Sequence, residues 1–253
     1  MQTLAVIPAR LGATRLPRKP LRLLGGVPLV VRVWECVRDM EVADRVVVAT
    51  DNMEIVHTVR GNGGEAIMTR EDHPSGTDRV AEVAARPDFA AFHTVLNVQG
   101  DEPFMTLSAV RGAADMVRSG RFPVATAAAP ATRRILDEPN VVKVVHGVDG
   151  RALYFSRAAI PHLRDQSDGD VLAGWVWQHL GVYAYTRDAL RDWVALPVHP
   201  LERIERLEQL RPLAAGIPIG VSLVDSPPPG GVDTEDDLQR ANQQWSELHP
   251  GRE

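Results

Sequence analysis

Three short segments carry the side-chain types needed to bind and rearrange phosphate. The first, Pro8-Ala9-Arg10-Leu11-Gly12-Ala13-Thr14-Arg15-Leu16-Pro17-Arg18-Lys19-Pro20, crowds four cations, a hydroxyl and a glycine into one loop. Glycine lets backbone N–H groups approach phosphate oxygens, arginine offers a planar fork, and lysine adds a point charge. A triphosphate suits such a loop; the plain alternative is a solvated basic surface. The second segment, Asn97-Val98-Gln99-Gly100-Asp101-Glu102-Pro103, joins an amide, a glycine and two acids. Asp101 can hold Mg²⁺, which needs only one or two carboxylates beside a substrate phosphate, and Gln99 can read a base. An Asx-type turn is the competing local reading of Asp101. The third segment, Gly231-Val232-Asp233-Thr234, offers another carboxylate just ahead of a helix start, where a helix-cap acid is the local reading.

Two further sets have weaker chemistry. As a helix, 200–210 would put Glu202, Glu205 and Gln209 on one stripe, able to meet sugar hydroxyls, although interleaved Arg203 and Arg206 also suit a surface of ion pairs. His179 and Tyr185 lie an even number of residues apart on one predicted strand and so share a face, where packing in the core is the commoner role. Gly61-Asn62-Gly63-Gly64-Glu65-Ala66 matches G-x-G-x-x-A in form only. It follows a helical pattern and precedes a strand, the reverse of a dinucleotide site, and reads as a helix stop. The Walker pattern is absent.

The elements that must position these groups alternate. Apolar runs at 4–7, 46–48 and 95–98 predict strands buried on both faces of a parallel sheet. Helical patterns fall at 28–40, with Pro28 as first residue, and at 53–60, 77–86 and 106–118. This alternation predicts an α/β fold with a doubly wound, mostly parallel central sheet, whose ligands bind at the carboxyl ends of strands. After Pro130 the pattern changes. Residues 141–145 and 151–156 read as strands joined by a tight turn, the start of a small antiparallel insertion at about 131–190 in a single domain spanning 1–253. A strand at 179–185, a helix at 200–210, a strand at 217–224 and a helix at 234–248, capped by Thr234 with Asp237, complete the chain. Residues 165–174 read as a mobile loop.

Composition places the chain in the ordinary globular range. The 253 residues are 44% apolar and 24% charged, and their net charge of −5 argues against bulk binding of nucleic acid. Residues 1–34 nevertheless hold six Arg or Lys and no acid, a local basic segment suited to a small anion. The single cysteine, Cys36, cannot close an intrachain disulfide, which fits a reducing compartment. The amino-terminal apolar run, ended by Pro8 and Arg10, has the pattern of neither a signal peptide nor a membrane span, so a cytoplasmic location without membrane partners is expected.

Taken in order, the motifs resemble those of the 3-deoxy-manno-octulosonate cytidylyltransferase family, the CMP-Kdo synthetases. The resemblance runs through IPARLGATRLPRKPL, ATD at 49–51, MTREDHPSGTDR at 68–79, NVQGDEP, NVVKVV at 140–145, ALYFSRAAIP at 152–161, HLGVYAY at 179–185, PLERIERLEQLR at 200–211 and GVDT. It displaces the local readings of Asp233 and the Glu202 helix. It implies a nucleotide-diphospho-sugar transferase-like fold, an antiparallel insertion used for dimerisation, and condensation of CTP with the acid sugar Kdo to give CMP-Kdo and pyrophosphate, with Mg²⁺, for lipopolysaccharide synthesis. It gives Ala9, Arg10, Thr14, Arg15, Lys19, Arg70, Gly76, Gln99 and Gly100 to the nucleotide, and Asp101 and Asp233 to magnesium. Arg79, Arg157, His179, Tyr185, Glu202, Glu205 and Gln209 go to the sugar, and Lys19, Arg15, Asp101 and Asp233 to catalysis. Arg18 departs from the glycine common at that place. Competing readings are a sugar-1-phosphate nucleotidylyltransferase, whose glycine-rich opening is half present, a CMP-sialate synthetase, and a nucleotide-binding module without catalysis.

Overall fold

The apolar run Leu4-Ala5-Val6-Ile7 is wholly buried because its strand has a parallel neighbour on each side. A computed structural model describes residues 2–12, 15–165, 167 and 174–249. The chain forms two compact units, one of residues 1–106 and 228–253, the other of residues 107–227.

In the first unit, β1 (Gln2–Ala9) is followed by the short 3-10 turn Lys19–Leu21, the small hairpin β2 (Leu23–Leu24) and β3 (Val27–Pro28), and α1 (Leu29–Asp39). Then come β4 (Arg45–Thr50), α2 (Met53–Gly61), β5 (Glu65–Met68), α3 (Gly76–Ala85) and β6 (Phe92–Val98). The strands lie in the order β6-β1-β4-β5, every pair parallel, as expected from uninterrupted Val, Ile and Leu runs. Pro28 precedes α1 as its N-cap instead of being its first residue, since it is still paired with Leu23. The glycines after α2 stop the helix, with Gly63 at φ +80°.

The second unit holds α4 (Leu107–Arg118), β7 (Val124–Pro130), α5 (Arg133–Leu136), β8 (Lys143–His146), β9 (Ala152–Ser156) and β10 (Trp177–Thr186). It continues through α6 (Arg187–Ala195), α7 (Pro200–Glu205), α8 (Leu210–Ala214) and β11 (Ile219–Leu223). β11 pairs parallel with β7; β10 runs antiparallel to both β7 and β8, and β8 and β9 form the expected hairpin. The predicted helix over 200–210 is broken. Arg206 adopts φ +56°, ending α7, and α8 begins afresh at Leu210, so Glu202, Glu205 and Gln209 do not share one helical stripe. A left-handed residue costs an L side chain about 1 kcal/mol, and no glycine or proline in the sequence announces it. The loop expected at 165–174 lies mostly outside the described residues.

The chain returns to the first unit for α9 (Glu235–Leu248), which opens with the predicted capping box: Thr234 accepts from Asp237 N–H, and the Asp237 carboxylate accepts from Thr234 N–H. Among the described residues no helix is long and apolar enough to cross a membrane.

Candidate active site

Leu16 anchors the basic loop. It is buried with Leu24, Leu29, Val232, Leu238 and Ala241 in one apolar cluster. Burying a leucine side chain stabilises by roughly 2 kcal/mol. Here it also draws Arg15 and Lys19 toward Val232 and hence toward Asp233. A second tie comes from Val232 N–H, which donates to the Asp101 carbonyl at 2.9 Å. Glycine permits the approach: a Cβ on Gly231 would lie 2.8 Å from a Glu102 carboxylate oxygen and 3.1 Å from the Asp101 carbonyl. Gly100 is constrained likewise, since a Cβ there would lie 2.7 Å from the Pro8 carbonyl, where the turns after β1 and β6 meet.

These contacts converge on the Lys19 ammonium, 2.5 Å from Asp101 Oδ2 and 2.9 Å from Asp233 Oδ1, with Arg15 on Asp233 Oδ2 at 2.9 Å. The Lys19 side chain is 16% exposed. Burial alone would depress its pKa, but the charges and hydrogen bonds of Asp101 and then Asp233 outweigh burial and hold it above the ordinary lysine value. The neighbouring Glu102 goes the other way: burial first, then the charges of Asp101 and Asp233, push its carboxyl up to about 8 against the pull of Lys19. Negative potential is therefore concentrated at this point. Two carboxylates on one cation are a hard oxygen set that fits a magnesium ion keeping waters and substrate phosphates as its other ligands. Among the described residues no cluster of three or more His, Cys, Asp or Glu is placed to hold a metal unaided.

A cavity of about 340 Å³ opens here, lined by Ala9, Arg10, Arg15, Lys19, Gly76, Gln99, Gly100, Asp101 and Asp233, with Pro8, Gly12, Pro20, His73, Ser75 and Arg79. Thr14 lies outside the described residues. Arg70 does not line the cavity; its side chain is 69% exposed, near Asp72 and Glu82. Arg79, expected with the sugar residues, lines this cavity instead. It is 3% exposed and binds Asp51 at 2.6 Å, Thr69 Oγ1 at 2.5 Å and the Arg70 carbonyl at 3.2 Å. Arg18, in the place of the family's glycine, has φ +57°, which is why glycine suits the position; its guanidinium pairs with Glu54 at the start of α2.

In the second unit, the Glu205 carboxylate accepts from Ser156 Oγ at 2.6 Å and Arg157 N–H at 3.0 Å. Arg157 Nε in turn donates to the Glu205 carbonyl at 3.0 Å. The wholly buried Lys143 ties this knot with three hydrogen bonds, to the carbonyls of Glu138, Val141 and Arg157. Glu202 forms a fork-to-fork pair with Arg211 at 2.7 and 2.8 Å, and Gln209 is buried beside the start of α8. His179 lies against Phe155 and Tyr183, its Nε2 2.9 Å from Thr126 Oγ1, and burial depresses its pKa to about 3, leaving a neutral ring. Tyr185 is wholly buried between Tyr183 and Trp193. The even spacing of His179 and Tyr185 is thus met by an aromatic row, and Tyr185 packs as core. The sequence reading passed over His73 and Ser75 in the cavity wall, although both stand in the quoted segment MTREDHPSGTDR.

A family model described as Cytidylyltransferase matches residues 4–219. A 3-deoxy-manno-octulosonate cytidylyltransferase of Gemmatimonas aurantiaca is 62% identical over 249 residues, covering 98% of this chain and 96% of that protein. The protein of the same name from Herminiimonas arsenicoxydans is 47% identical, covering 98% of this chain and all of its own. Among solved structures, a CMP:2-keto-3-deoxy-manno-octonic acid synthetase complexed with CTP aligns with TM-score 0.90 at 37% identity, over 98% of this chain and 100% of that one. A putative glucose-1-phosphate thymidylyltransferase from Bacillus anthracis shares the fold at TM-score 0.64 and 13% identity, over 98% and 97% of the two chains.

Proposed function

This chain belongs to the cytidylyltransferase family, and on that footing we propose that it transfers CMP from CTP to Kdo, giving CMP-Kdo and pyrophosphate for lipopolysaccharide synthesis. The observation that carries the reading is the meeting of Lys19, Asp101 and Asp233 at the mouth of the basic loop.

The 2-hydroxyl oxygen of Kdo attacks the α-phosphorus in line; the bond from that phosphorus to the β-phosphate oxygen breaks, and the hydroxyl proton passes to solvent. Positioning and charge neutralisation carry such chemistry, with no covalent enzyme intermediate. Arg10, Arg15 and Lys19 receive the triphosphate, with the backbone at Ala9 and Gly100 close by, and Gly76 and Gln99 flank the base; Thr14 is assigned to the nucleotide as well, and Arg70 adds charge outside the cavity wall. Asp101 and Asp233 would hold Mg²⁺, which when bound would supply positive charge against the α-phosphate and lower the pKa of the attacking hydroxyl. Lys19 shares those carboxylates, and with the metal on them its ammonium would be left to turn its charge to the leaving pyrophosphate. A unit charge 4 Å from a phosphate oxygen is worth about 4 kcal/mol at an effective dielectric near 20, before desolvation.

Arg157, Glu202, Glu205, Gln209 and His179 are assigned to the sugar, with Tyr185 supporting His179 through the aromatic row and Arg79 serving the nucleotide side as well. The hairpin β8–β9, which leaves Val148 and Leu153 exposed, is assigned to a homodimer contact, and the protein to the cytoplasm. The test is ³¹P NMR of mixtures crossing CTP and UTP with Kdo, sialate and glucose 1-phosphate. Pyrophosphate and a new phosphodiester are expected with CTP and Kdo; a product with glucose 1-phosphate or sialate instead overturns the reading.

A further inference from the structure

A nearly buried histidine stands in the cavity wall. His73 is 8% exposed, and its Nε2 lies 2.6 Å from Glu82 Oε2. Glu82 also accepts from the Arg70 backbone N–H at 2.9 Å and from the Arg86 guanidinium at 2.7 Å. Burial opposes its ionisation, but these donors together with His73 hold its carboxyl down at about 2. A carboxylate only accepts, so the ring hydrogen is fixed on Nε2. In the uncharged form of the ring Nδ1 then carries the lone pair, and it has no hydrogen bond to any described residue.

The cavity wall divides by charge. Arg10, Arg15, Lys19, Asp101 and Asp233 are ionic, as is Arg79, whose guanidinium is engaged by Asp51 and Thr69, whereas Ser75, Gly76, Gln99 and the His73 imidazole are groups suited to a base. Ser75 is engaged as the α3 cap, accepting from Asp78 N–H and donating to the Asp78 carboxylate. Gln99 lies close to the start of α3, since a Cβ on Gly76 would be 3.9 Å from its Oε1. Its carboxamide, held by one long hydrogen bond of 3.4 Å to Asn97, pairs equally well with an amino or an oxo group once rotated. His73 differs from both: its donor end is held by Glu82, which leaves Nδ1 to meet a base.

We propose that His73, oriented by Glu82, presents Nδ1 as the acceptor that selects a pyrimidine carrying a 4-amino group over one carrying a 4-oxo group. This rests on the cytidylyl-transfer reading and assigns that site its base selectivity. An acceptor facing the 4-oxo oxygen of uracil finds no hydrogen to share, and a base with hydrogen at C4 leaves it unpaired.

The experiment measures Kd by calorimetry for CTP, UTP and the triphosphate of 2-pyrimidinone riboside, which has hydrogen in place of the 4-amino group. It uses the parent protein and His73→Gln, whose side-chain amide can still donate to Glu82 but offers no acceptor at the Nδ1 position. Pyrophosphate release from CTP with Kdo is measured in parallel. The parent is expected to bind CTP at least about tenfold more tightly than either competitor, the scale of one hydrogen bond, and the variant to bring CTP and the 4-hydrogen analogue close to equal. A variant that keeps the parent's ratio overturns the proposal. Should the variant fail to fold by circular dichroism, the parent alone decides, because equal binding of CTP and the 4-hydrogen analogue also overturns it. Failure of the cytidylyl-transfer reading shows separately, as CTP binding without pyrophosphate release.

Discussion

The backbone N–H of Val232 donates to the carbonyl of Asp101 at 2.9 Å, joining the turn after β6 to the segment before α9. Through that one bond two distant stretches of chain put their carboxylates on the same ammonium, that of Lys19.

Lys19 should therefore act on rate more than on nucleotide binding. Lys19→Met is expected to lose two or more decades in kcat with CTP and Kdo, while CTP still binds through Arg10 and Arg15. Steady-state kinetics with calorimetric CTP titration checks both halves, and near-parental kcat would remove Lys19 from the chemistry.

Arg79 should act on stability. It is 3% exposed and paired to Asp51 at 2.6 Å, and its removal strands that carboxylate. Arg79→Leu is expected to cost about 3–5 kcal/mol in urea unfolding, and Arg79→Leu with Asp51→Asn distinctly less than the sum of the two single changes. Additive losses would mean that the pair is not coupled.

Glu82 sets a pH dependence. Its folded pKa of about 2 is below the ordinary 4.5, so its contribution to stability is fully present above about pH 4.5 and is lost as pH falls toward 2. The shift corresponds to roughly 3 kcal/mol as an upper figure. Glu82→Gln should be less stable than the parent at pH 7, and the gap should narrow steadily from pH 4.5 downward in urea melts. A gap that stays constant with pH would assign the loss to packing.

The parallel sheet of the first unit was legible because uninterrupted apolar strands and amphipathic helices alternate there, and Thr234 with Asp237 announced α9. β7 was not, since Val124-Ala125-Thr126-Ala127-Ala128-Ala129 carries small residues that favour helix as much as strand and is buried only by its neighbours. The break at Arg206 was hidden because helical spacing continues across it, while tertiary contacts draw Glu205 to Arg157 and Glu202 to Arg211. Of the site, residue types were readable, and so was the prospect of the basic loop meeting both aspartates. The ammonium between those carboxylates was not, nor was His73, because a lone histidine in sequence says nothing of the carboxylate that orients it.

The most direct test of the central claim, that Asp101 and Asp233 serve the reaction as one unit at one place, is kcat for pyrophosphate release from CTP and Kdo with saturating Mg²⁺ in Asp101→Asn, Asp233→Asn and the double variant. Each single change is expected to lose at least about a hundredfold, and the double variant scarcely more than the worse single one, as groups acting together do. Losses that multiply in the double variant, or a single variant close to the parent, would contradict the account.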